Sequence, residues 1–289
     1  MHARSHSFSL AALLLVGALT FFVSIDVLVK WWAGTLSVLV TVWFRYLFQA
    51  LSMAALMGVK RVPWRFVHPW LHLVRGSLML VVSVTGTLSI VVMPLGEFAA
   101  IVMLTPLVVV LISALLFKES VAVLRWLLLA AGFAGAVLVL NPASVQLGWS
   151  VLLPLATVLA YASYNWLTNT MARREHPYAM HFSTGLVGAL ALTAALPLIW
   201  QPITEPLHYL IFLGIGLAST VGHFMLLLAF ASVSPSRLSV FLYFQIPLAV
   251  CAGWLVFGHW PTPQAWAGIA LIGFSGMLTV WEGGRRGPR

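Results

Sequence analysis

Apolar residues occur along this chain in long runs that are separated by short polar stretches. Each run has roughly 20 residues, which lets an α-helix cross about 30 Å of hydrocarbon. The pattern predicts ten membrane-spanning helices, at residues 10–29, 34–58, 72–92, 95–117, 122–140, 149–171, 179–200, 207–231, 236–258 and 263–282. No small-x-small cleavage site follows the first run, so we interpret it as a helix and not as a signal peptide.

The second half of the chain repeats features of the first half at an offset of 141 residues. Helix-punctuating residues fall in register at this offset: Pro94 with Pro235, Pro106 with Pro247, Gly132 with Gly273 and Gly135 with Gly276. Such self-similarity indicates a duplicated unit. We therefore divide a single membrane domain into two five-helix repeats, at 1–141 and 142–289. Because five is odd, the second repeat is predicted to be inverted in the membrane, with a substrate site near the midplane between the repeats.

Composition supports an integral membrane protein. The chain is 62% hydrophobic and 7% charged, whereas soluble domains carry about 25% charged residues. Its single cysteine, Cys251, excludes an internal disulfide.

The net charge of +9 is explained by membrane topology, and no nucleic-acid partner is needed to account for it. Alternate loops hold nearly all the basic residues: Arg4, Lys60, Arg61, Arg65, Lys118, Arg125, Arg173, Arg174, Arg237, Arg285, Arg286 and Arg289. The opposite loops hold Lys30, and segments 141–148, 201–206 and 259–262 have no Lys or Arg. The asymmetry predicts that both termini lie in the cytoplasm.

Two prolines lie inside predicted helices, Pro106 in the fourth and Pro247 in the ninth. Each removes a backbone donor and frees the carbonyl four residues earlier. We predict a kink at each proline. The kinked helices either line a cavity and bend during transport, or they are static and packed against their neighbours.

Charged residues within apolar helices are candidates for the site. Arg45 lies near the middle of the second predicted helix, where an unpaired charge is costly. Asp26 and Glu97 are the acids near the outer side, and both lie shallower than Arg45. Asp26 is a candidate proton or cation site, with an interfacial role as the alternative. Arg45 is either functional or a structural charge held by carbonyl groups.

Polar side chains also share helix faces. At the 141-residue offset, the helix face that begins with Glu97 maps onto the face that holds Gln245, so Gln245 is a candidate substrate contact or a helix–helix hydrogen bond. Tyr161, Asn165 and Thr168 follow one face of the sixth helix, and Ser219 and His223 follow one face of the eighth. A neutral His223 imidazole would bind a ligand, take a proton or bond a neighbouring helix.

Catalytic signatures are absent from the sequence. It contains no G-x-S-x-G, no H-E-x-x-H, no Walker loop and no Cys/His metal spacing. We therefore expect no enzyme activity, no cofactor and no metal, and transport without a nucleotide-binding domain of its own.

Several segments resemble the EamA family of the drug/metabolite transporter superfamily. They are MPLGEFAAIVMLTPLVVVLISALLFKE at 93–119, FRYLFQ at 44–49, YASYNWLT at 161–168, GH at 222–223 and FLYFQIPLAVCAGWLVFG at 241–258. Within the family, the pattern is most similar to the bacterial S-adenosylmethionine and riboflavin transporters.

The resemblance implies a ten-helix inverted-repeat carrier with a central cavity within reach of Glu97, Asn165, His223 and Gln245. The chain departs from the family pattern where His259 stands in place of the usual glutamate.

These observations predict a secondary transporter of a small polar or cationic organic metabolite in the bacterial cytoplasmic membrane, working by alternating access at a midplane site. The expected partners are the substrate, the lipid bilayer and a coupling ion such as H⁺, and a homodimer is kept as an alternative to a monomer. A flippase for a lipid-linked substrate and a non-transporting scaffold are the alternative functions.

Overall fold

The computed structural model describes residues 2–32, 37–92, 98, 101–116, 121–140, 149–200, 202–203, 205–258 and 260–285. Helices make up most of these ranges, because a helix bonds its backbone N–H and C=O groups internally and therefore suits an apolar surrounding. The helices of ten or more described residues are α1 (His2–Trp31), α2 (Val38–Val59), α3 (Pro69–Val92), α4 (Thr105–Leu116), α5 (Val123–Leu140), α6 (Leu152–Met171), α7 (Pro177–Ile199), α8 (Pro206–Ser232), α9 (Gln245–Phe257) and α10 (Pro263–Arg285).

The helical path of the predicted fourth and ninth helices is interrupted just before their prolines. Ile101 and Val102 are helical, but a turn follows at Met103 and Leu104 before α4 begins. In the second half, a single turn of α-helix at Pro235–Leu238 and a 3₁₀-helix at Ser239–Phe244 precede α9. Both interruptions come immediately before the first turn of an α-helix, which contains Pro106 in α4 and Pro247 in α9. These are the two prolines that fall in register at the 141-residue offset.

Seven described segments are long and apolar enough to span a membrane: Phe8–Val29, Leu39–Val59, Pro69–Ser89, Trp149–Met171, Pro177–Ile199, Pro206–Ser232 and Pro235–Val256. Two further apolar helices, Thr105–Leu115 and Val123–Val139, are shorter. The protein is therefore a multi-pass, all-helical membrane protein over its described residues. The count of ten spans stays a prediction.

The most extensive helix contacts join the two halves of the chain. They pair α1 with α8, α2 with α7, α3 with α6, and α5 with α10, with smaller contacts of α4 with α6 and α1 with α9. When every helix is replaced by the helix five places away in the chain, the α1–α8 pair becomes the α6–α3 pair and the α4–α6 pair becomes the α9–α1 pair. All four of these pairs are in contact. The same shift leaves α2–α7 and α5–α10 unchanged. The pairing is thus symmetric under exchange of the two halves.

Two of the helix pairs that join the halves can be given a direction. In the α2–α7 pair, Trp43 donates to Thr193 across 2.9 Å, while Gln49, further along α2, donates to the carbonyl of His181, earlier in α7. In the α5–α10 pair, Arg125 near the start of α5 lies 3.8 Å from Glu282 near the end of α10. Both pairs are therefore antiparallel.

The α5–α10 pair is held at a backbone contact. A Cβ added at Gly135 of α5 would lie 2.7 Å from the carbonyl oxygen of Gly268 in α10, and a Cβ at Gly268 would collide with the carbonyl oxygen of Gly135. Glycine is needed at both positions, because any larger residue would separate the two helices. Gly273, by contrast, has open space at its Cβ.

Candidate functional site

Asp26 lies near the end of α1 and is exposed. Its carboxylate lies near the Gln245 side chain of α9 and interacts electrostatically with Arg45 of α2. The structure therefore brings together three predicted site residues from both halves of the chain. Asp26 and Arg45 lie more than 4.0 Å apart, as their different depths led us to expect.

Arg45 is half-buried and bonded through one nitrogen. Its Nε donates to the Ser219 hydroxyl of α8 across 3.0 Å. No described residue accepts a hydrogen bond from its two Nη groups. Beside it lies a small recess that has no room for a water molecule in this conformation. The recess is lined by Arg45, Tyr46, Gln49, Met79, Ser219 and His223.

His223 closes one wall of the recess. Its Nδ1 lies 2.8 Å from the carbonyl oxygen of Ser219, one turn earlier in α8. The ring packs against Phe22 of α1 at a centroid distance of 4.6 Å. Nδ1 therefore carries the proton and Nε2 is left as an acceptor. The bond through Nδ1 stays within α8, and the predicted alternative of a bond from His223 to a neighbouring helix stays a prediction.

Gln245 is the first residue of α9, and Pro247 follows within the first turn. Pro106 has the equivalent place in the first turn of α4. A proline at this position loses no intrahelical bond, because the first N–H groups of a helix have no partner in any case. The prolines therefore lie directly after interruptions of the helical path, and the kinks predicted at them stay predictions.

Tyr161 and Asn165 lie on α6, away from Asp26. The Tyr161 ring stacks on Tyr164 with a centroid distance of 6.5 Å. Asn165 is fully buried. The Tyr161 hydroxyl lies close to the Asn165 amide, but not in hydrogen-bonding geometry, and neither amide atom has a described partner. A role for these two residues in substrate binding stays a prediction. Glu97 lies outside the described residues.

The sequence reasoning missed Arg75 of α3, which is fully buried. Its guanidinium donates to four groups: the Thr168 hydroxyl at 2.8 Å, the Met180 carbonyl at 2.8 Å, the Thr184 hydroxyl at 2.6 Å and the Tyr164 hydroxyl at 2.6 Å. It also lies 4.4 Å from the centroid of the Tyr164 ring. Arg75 therefore fastens α3 to α6 and α7 without a described carboxylate partner.

A second unpredicted cluster joins α2 to α7 and α8 through His181, which is fully buried. Its Nε2 lies 3.0 Å from the Thr220 carbonyl oxygen, and its Nδ1 lies 3.2 Å from Nε2 of Gln49. The carbonyl oxygen fixes the proton on Nε2, so Nδ1 accepts from the Gln49 amide. The imidazole is therefore neutral in this arrangement.

Glu175 connects two loops at one end of the molecule. It accepts hydrogen bonds from the backbone amides of Val67 at 3.2 Å and His68 at 2.8 Å, and it lies 3.1 Å from His72. Burial acts to raise the pKa of Glu175. The hydrogen bonds from His72 and the two amides outweigh burial and lower that pKa. The α2–α3 and α6–α7 loops, both rich in basic residues, therefore lie at the same face.

The described residues contain no group of three or more His, Cys, Asp or Glu that would hold a metal ion. What they hold is a cluster of polar residues at the junction of the two halves.

The EamA-like transporter family model matches residues 148–281. A riboflavin transporter of Rhizobium johnstonii is 32% identical over 234 residues, which are 79% of this chain and 75% of that protein. The chain belongs to the EamA-like transporter family. It is a transporter of small molecules and not an enzyme, as the missing catalytic signatures predicted. The predicted family resemblance is confirmed.

More distant similarities agree with this assignment. An S-adenosylmethionine uptake transporter of Rickettsia bellii is 21% identical over 249 residues, which are 86% of this chain and 85% of that protein. A protein solved by crystallography superposes with a TM-score of 0.79 at 16% identity, over 95% of this chain and 97% of that one. The last similarity shows a shared fold.

Proposed function

We propose that this EamA-like transporter is a secondary carrier of riboflavin or a closely similar polar metabolite, and that it works by alternating access in the cytoplasmic membrane. The observation that carries the proposal is the cluster of Asp26, Arg45, Ser219 and Gln245. It combines α1 and α2 of the first half with α8 and α9 of the second half. A relative movement of the halves changes access to such a junction.

The helix pairing supports two inverted five-helix repeats. Under the 141-residue offset α2 is equivalent to α7 and α5 to α10, and both pairs are antiparallel. Equivalent helices of a repeat that was not inverted would keep the same direction across the membrane. The starts of α4 and α9, each one or two residues before its proline, are also equivalent under the offset.

The arrangement of basic residues supports cytoplasmic termini. The α2–α3 and α6–α7 loops meet through Glu175, and the Arg237 guanidinium lies 5.0 Å from the centroid of the Phe8 ring near the N-terminus. These basic segments share one face, as the positive-inside rule requires. A fluorescent protein fused to the C-terminus should mature in the cytoplasm, and an alkaline phosphatase fusion there should be inactive.

The substrate class is narrowed by charge. Arg45 would repel a cationic group that approached the recess beside it, which favours a neutral polar metabolite over the cationic class that the sequence also allowed. Riboflavin is neutral, and the Rhizobium johnstonii relative described above is a riboflavin transporter. S-adenosylmethionine, which carries a sulfonium cation, is the second compound to test.

Uptake of radiolabelled riboflavin into proteoliposomes tests the proposal. We expect uptake above that of protein-free liposomes and competition by excess unlabelled riboflavin. Replacing Gln245 by Ala removes the polar side chain near Asp26 and should lower uptake about fivefold or more. Reconstituted protein that moves S-adenosylmethionine but not riboflavin would overturn the substrate, and uptake of neither compound would overturn the proposed function.

A further inference from the structure

We propose that Asn169 holds one side of this transporter closed, and that the opposite side has no equivalent contact. This inference rests on the alternating access of the proposed function, and it deepens that function by identifying which side is held closed. Asn169 lies in the last turn of α6. Its amide Nδ2 donates to the carbonyl oxygen of Phe230 across 2.7 Å and to that of Val233 across 3.3 Å. We call these two hydrogen bonds the Asn169 latch.

The Asn169 latch joins the ends of two helices that reach the same face of the molecule. Phe230 belongs to the last turn of α8, and Val233 follows directly after that helix. Carbonyl groups at the end of a helix have no partner within it, so a donor on α6 satisfies groups that would otherwise lack one. Leu167 and Met171 of α6 also share a buried cluster with Leu227 of α8. In the proposed orientation, these packed ends lie at the cytoplasmic face.

The first half of the chain has no equivalent of this contact. At the 141-residue offset, α6 corresponds to α1 and α8 corresponds to α3, and the ends of α1 and α3 lie at the outer face in the proposed orientation. Asn169 then corresponds to Leu28, whose side chain has no hydrogen-bond donor. Leu28 packs against a buried cluster of α1 and α8 that includes no described residue of α3. Over their described residues, α1 and α3 also lack the extensive contact that joins α6 to α8.

This difference identifies the state in which the transporter is held. Other equivalent pairs are in contact in both halves, such as α1–α8 with α6–α3 and α2–α8 with α7–α3. The α6–α8 contact breaks this symmetry. In inverted repeats, equivalent helices exchange their surroundings when one half rocks against the other. The state described here is therefore closed between the cytoplasmic ends of α6 and α8. The alternate state would separate these ends and bring the outer ends of α1 and α3 together.

Asn165 acts against the latch. It lies one turn before Asn169 on the same face of α6, it is fully buried, and both polar atoms of its amide lack a hydrogen-bond partner. A buried amide without partners raises the free energy of the closed state. Water that enters between α6 and α8 would supply those partners. The two asparagines therefore favour opposite states, and loss of the latch alone should shift the protein towards the state open to the cytoplasm.

The experiment measures how fast a buried thiol reacts from the cytoplasmic side. Cys251 is the only cysteine of the chain, so Cys251→Ser with Ser236→Cys leaves one reporter thiol. Ser236 is fully buried and lies in the single turn after α8, which contacts α6. A membrane-impermeant maleimide is added to inverted membrane vesicles, whose cytoplasmic face is outward. With Asn169 present we expect slow labelling, because a maleimide reacts only with an accessible thiol.

Two substitutions remove the latch in this reporter protein. Asn169→Leu introduces the residue found at the equivalent outer position, and Asn169→Asp at neutral pH keeps the shape of the side chain but has no N–H group to donate. Each should make labelling roughly threefold to tenfold faster, because loss of a hydrogen bond of ordinary strength increases the open population by about that factor. Thr170→Val serves as a control, since Thr170 is exposed and its hydroxyl bonds within α6. It should label at the rate of the reporter protein.

A substitution on the other side tests the same inference in reverse. Leu28→Asn places an amide where it could meet the last carbonyl groups of α3 when the outer ends of α1 and α3 come together. It should favour the state that is open to the cytoplasm and make labelling faster. Because Leu28 and Asn169 lie near opposite faces, Leu28→Asn combined with Asn169→Leu should accelerate labelling by about the product of the two single factors.

Thr168→Val distinguishes a latch from a contact that only stabilises the fold. It removes an acceptor of Arg75 on α6 and should lower stability without changing the rate of labelling. The latch is wrong if the reporter thiol reacts fast with Asn169 present, if Asn169→Leu and Asn169→Asp leave the rate unchanged, or if Thr168→Val accelerates labelling as much as they do. Labelling requires no substrate. Accelerated labelling without riboflavin uptake would therefore overturn the substrate and keep the latch, whereas uptake with unchanged labelling would keep the proposed function and overturn the latch.

Discussion

Arg45 and Arg75 lie on adjacent helices of the first half, and their guanidinium groups are bonded in opposite ways. Arg75 is fully buried, and all three of its nitrogens donate to hydroxyl or carbonyl oxygens. Arg45 is half-buried and bonded through Nε alone. One arginine has used nearly all its donors to connect helices, and the other retains two nitrogens that donate to no described residue.

The difference separates a structural charge from a candidate binding charge. A buried guanidinium is stable only where protein groups replace the water it has lost. Arg75 meets that condition within the described protein. Arg45 meets it in part, and water or a ligand has to supply the rest. The number of unused donors, more than depth in the membrane, therefore marks the residue to test in transport.

The largest expected effect is loss of folded protein on Arg75→Ala. The substitution leaves the partners on α6 and α7 without their donor and opens a cavity between three helices. We expect the free energy of unfolding to fall by about 3 kcal/mol or more. Size-exclusion chromatography after heating in detergent measures the change. A variant with wild-type thermal stability but no riboflavin uptake would place Arg75 in the transport site and contradict its structural role.

Arg45→Gln should give the opposite result. Few protein hydrogen bonds are lost, so the melting temperature should stay within a few degrees of that of the wild type. Riboflavin uptake should fall roughly tenfold or more, because a guanidinium of the proposed substrate site is removed. The same two measurements are applied to both variants, and an Arg45→Gln protein as unstable as Arg75→Ala would make Arg45 structural.

Removing one hydroxyl group bonded to each arginine tests the same distinction between a structural and a binding arginine, with smaller expected effects. Thr168→Val removes one acceptor of Arg75 and should lower the free energy of unfolding by about 1 kcal/mol. Ser219→Ala frees the Nε of Arg45, so the guanidinium loses its fixed orientation. Here the dissociation constant for riboflavin should rise about threefold to tenfold with little change in stability. Equal effects of the two variants on stability would contradict the distinction.

Glu175 is a carboxylate with a structural role, and its contribution to stability should depend on pH. Because its pKa is lowered in the folded protein, its stabilisation is complete above the ordinary value of 4.5 and is lost as the pH falls through the lowered value. Glu175→Gln should therefore melt at a lower temperature than the wild type at pH 7, by a few degrees. The difference should shrink on acidification below pH 4.5. An unchanged difference at low pH would exclude the ionised carboxylate as its source.

Much of the helical path could be predicted, because apolar runs of about 20 residues have few other stable conformations in lipid. The interruptions before α4 and α9 could not. A proline inside a helix and a proline in the first turn of a helix give the same local sequence, and only the backbone bonds distinguish them. The spans that fall outside the described residues, and the residues Glu97 and His259, stay predictions.

The candidate site was predicted in part for a similar reason. Arg45 was recognised because it interrupts the middle of an apolar run, and Ser219 and His223 because they share a face at helical spacing. Arg75 was missed because it lies six residues after the start of α3, where a basic residue is typical of a helix end near the membrane surface. Its burial depends on hydroxyls of α6 and α7, which are distant in sequence.

The contact between Gly135 and Gly268 restricts how the two halves are able to move. Backbone atoms in direct contact have no flexible side chains between them, so α5 and α10 cannot slide far without losing the contact. They are able to rotate about it with little change in distance. The two halves would therefore rotate about this crossing point, and the largest displacements would occur in the helices farthest from it.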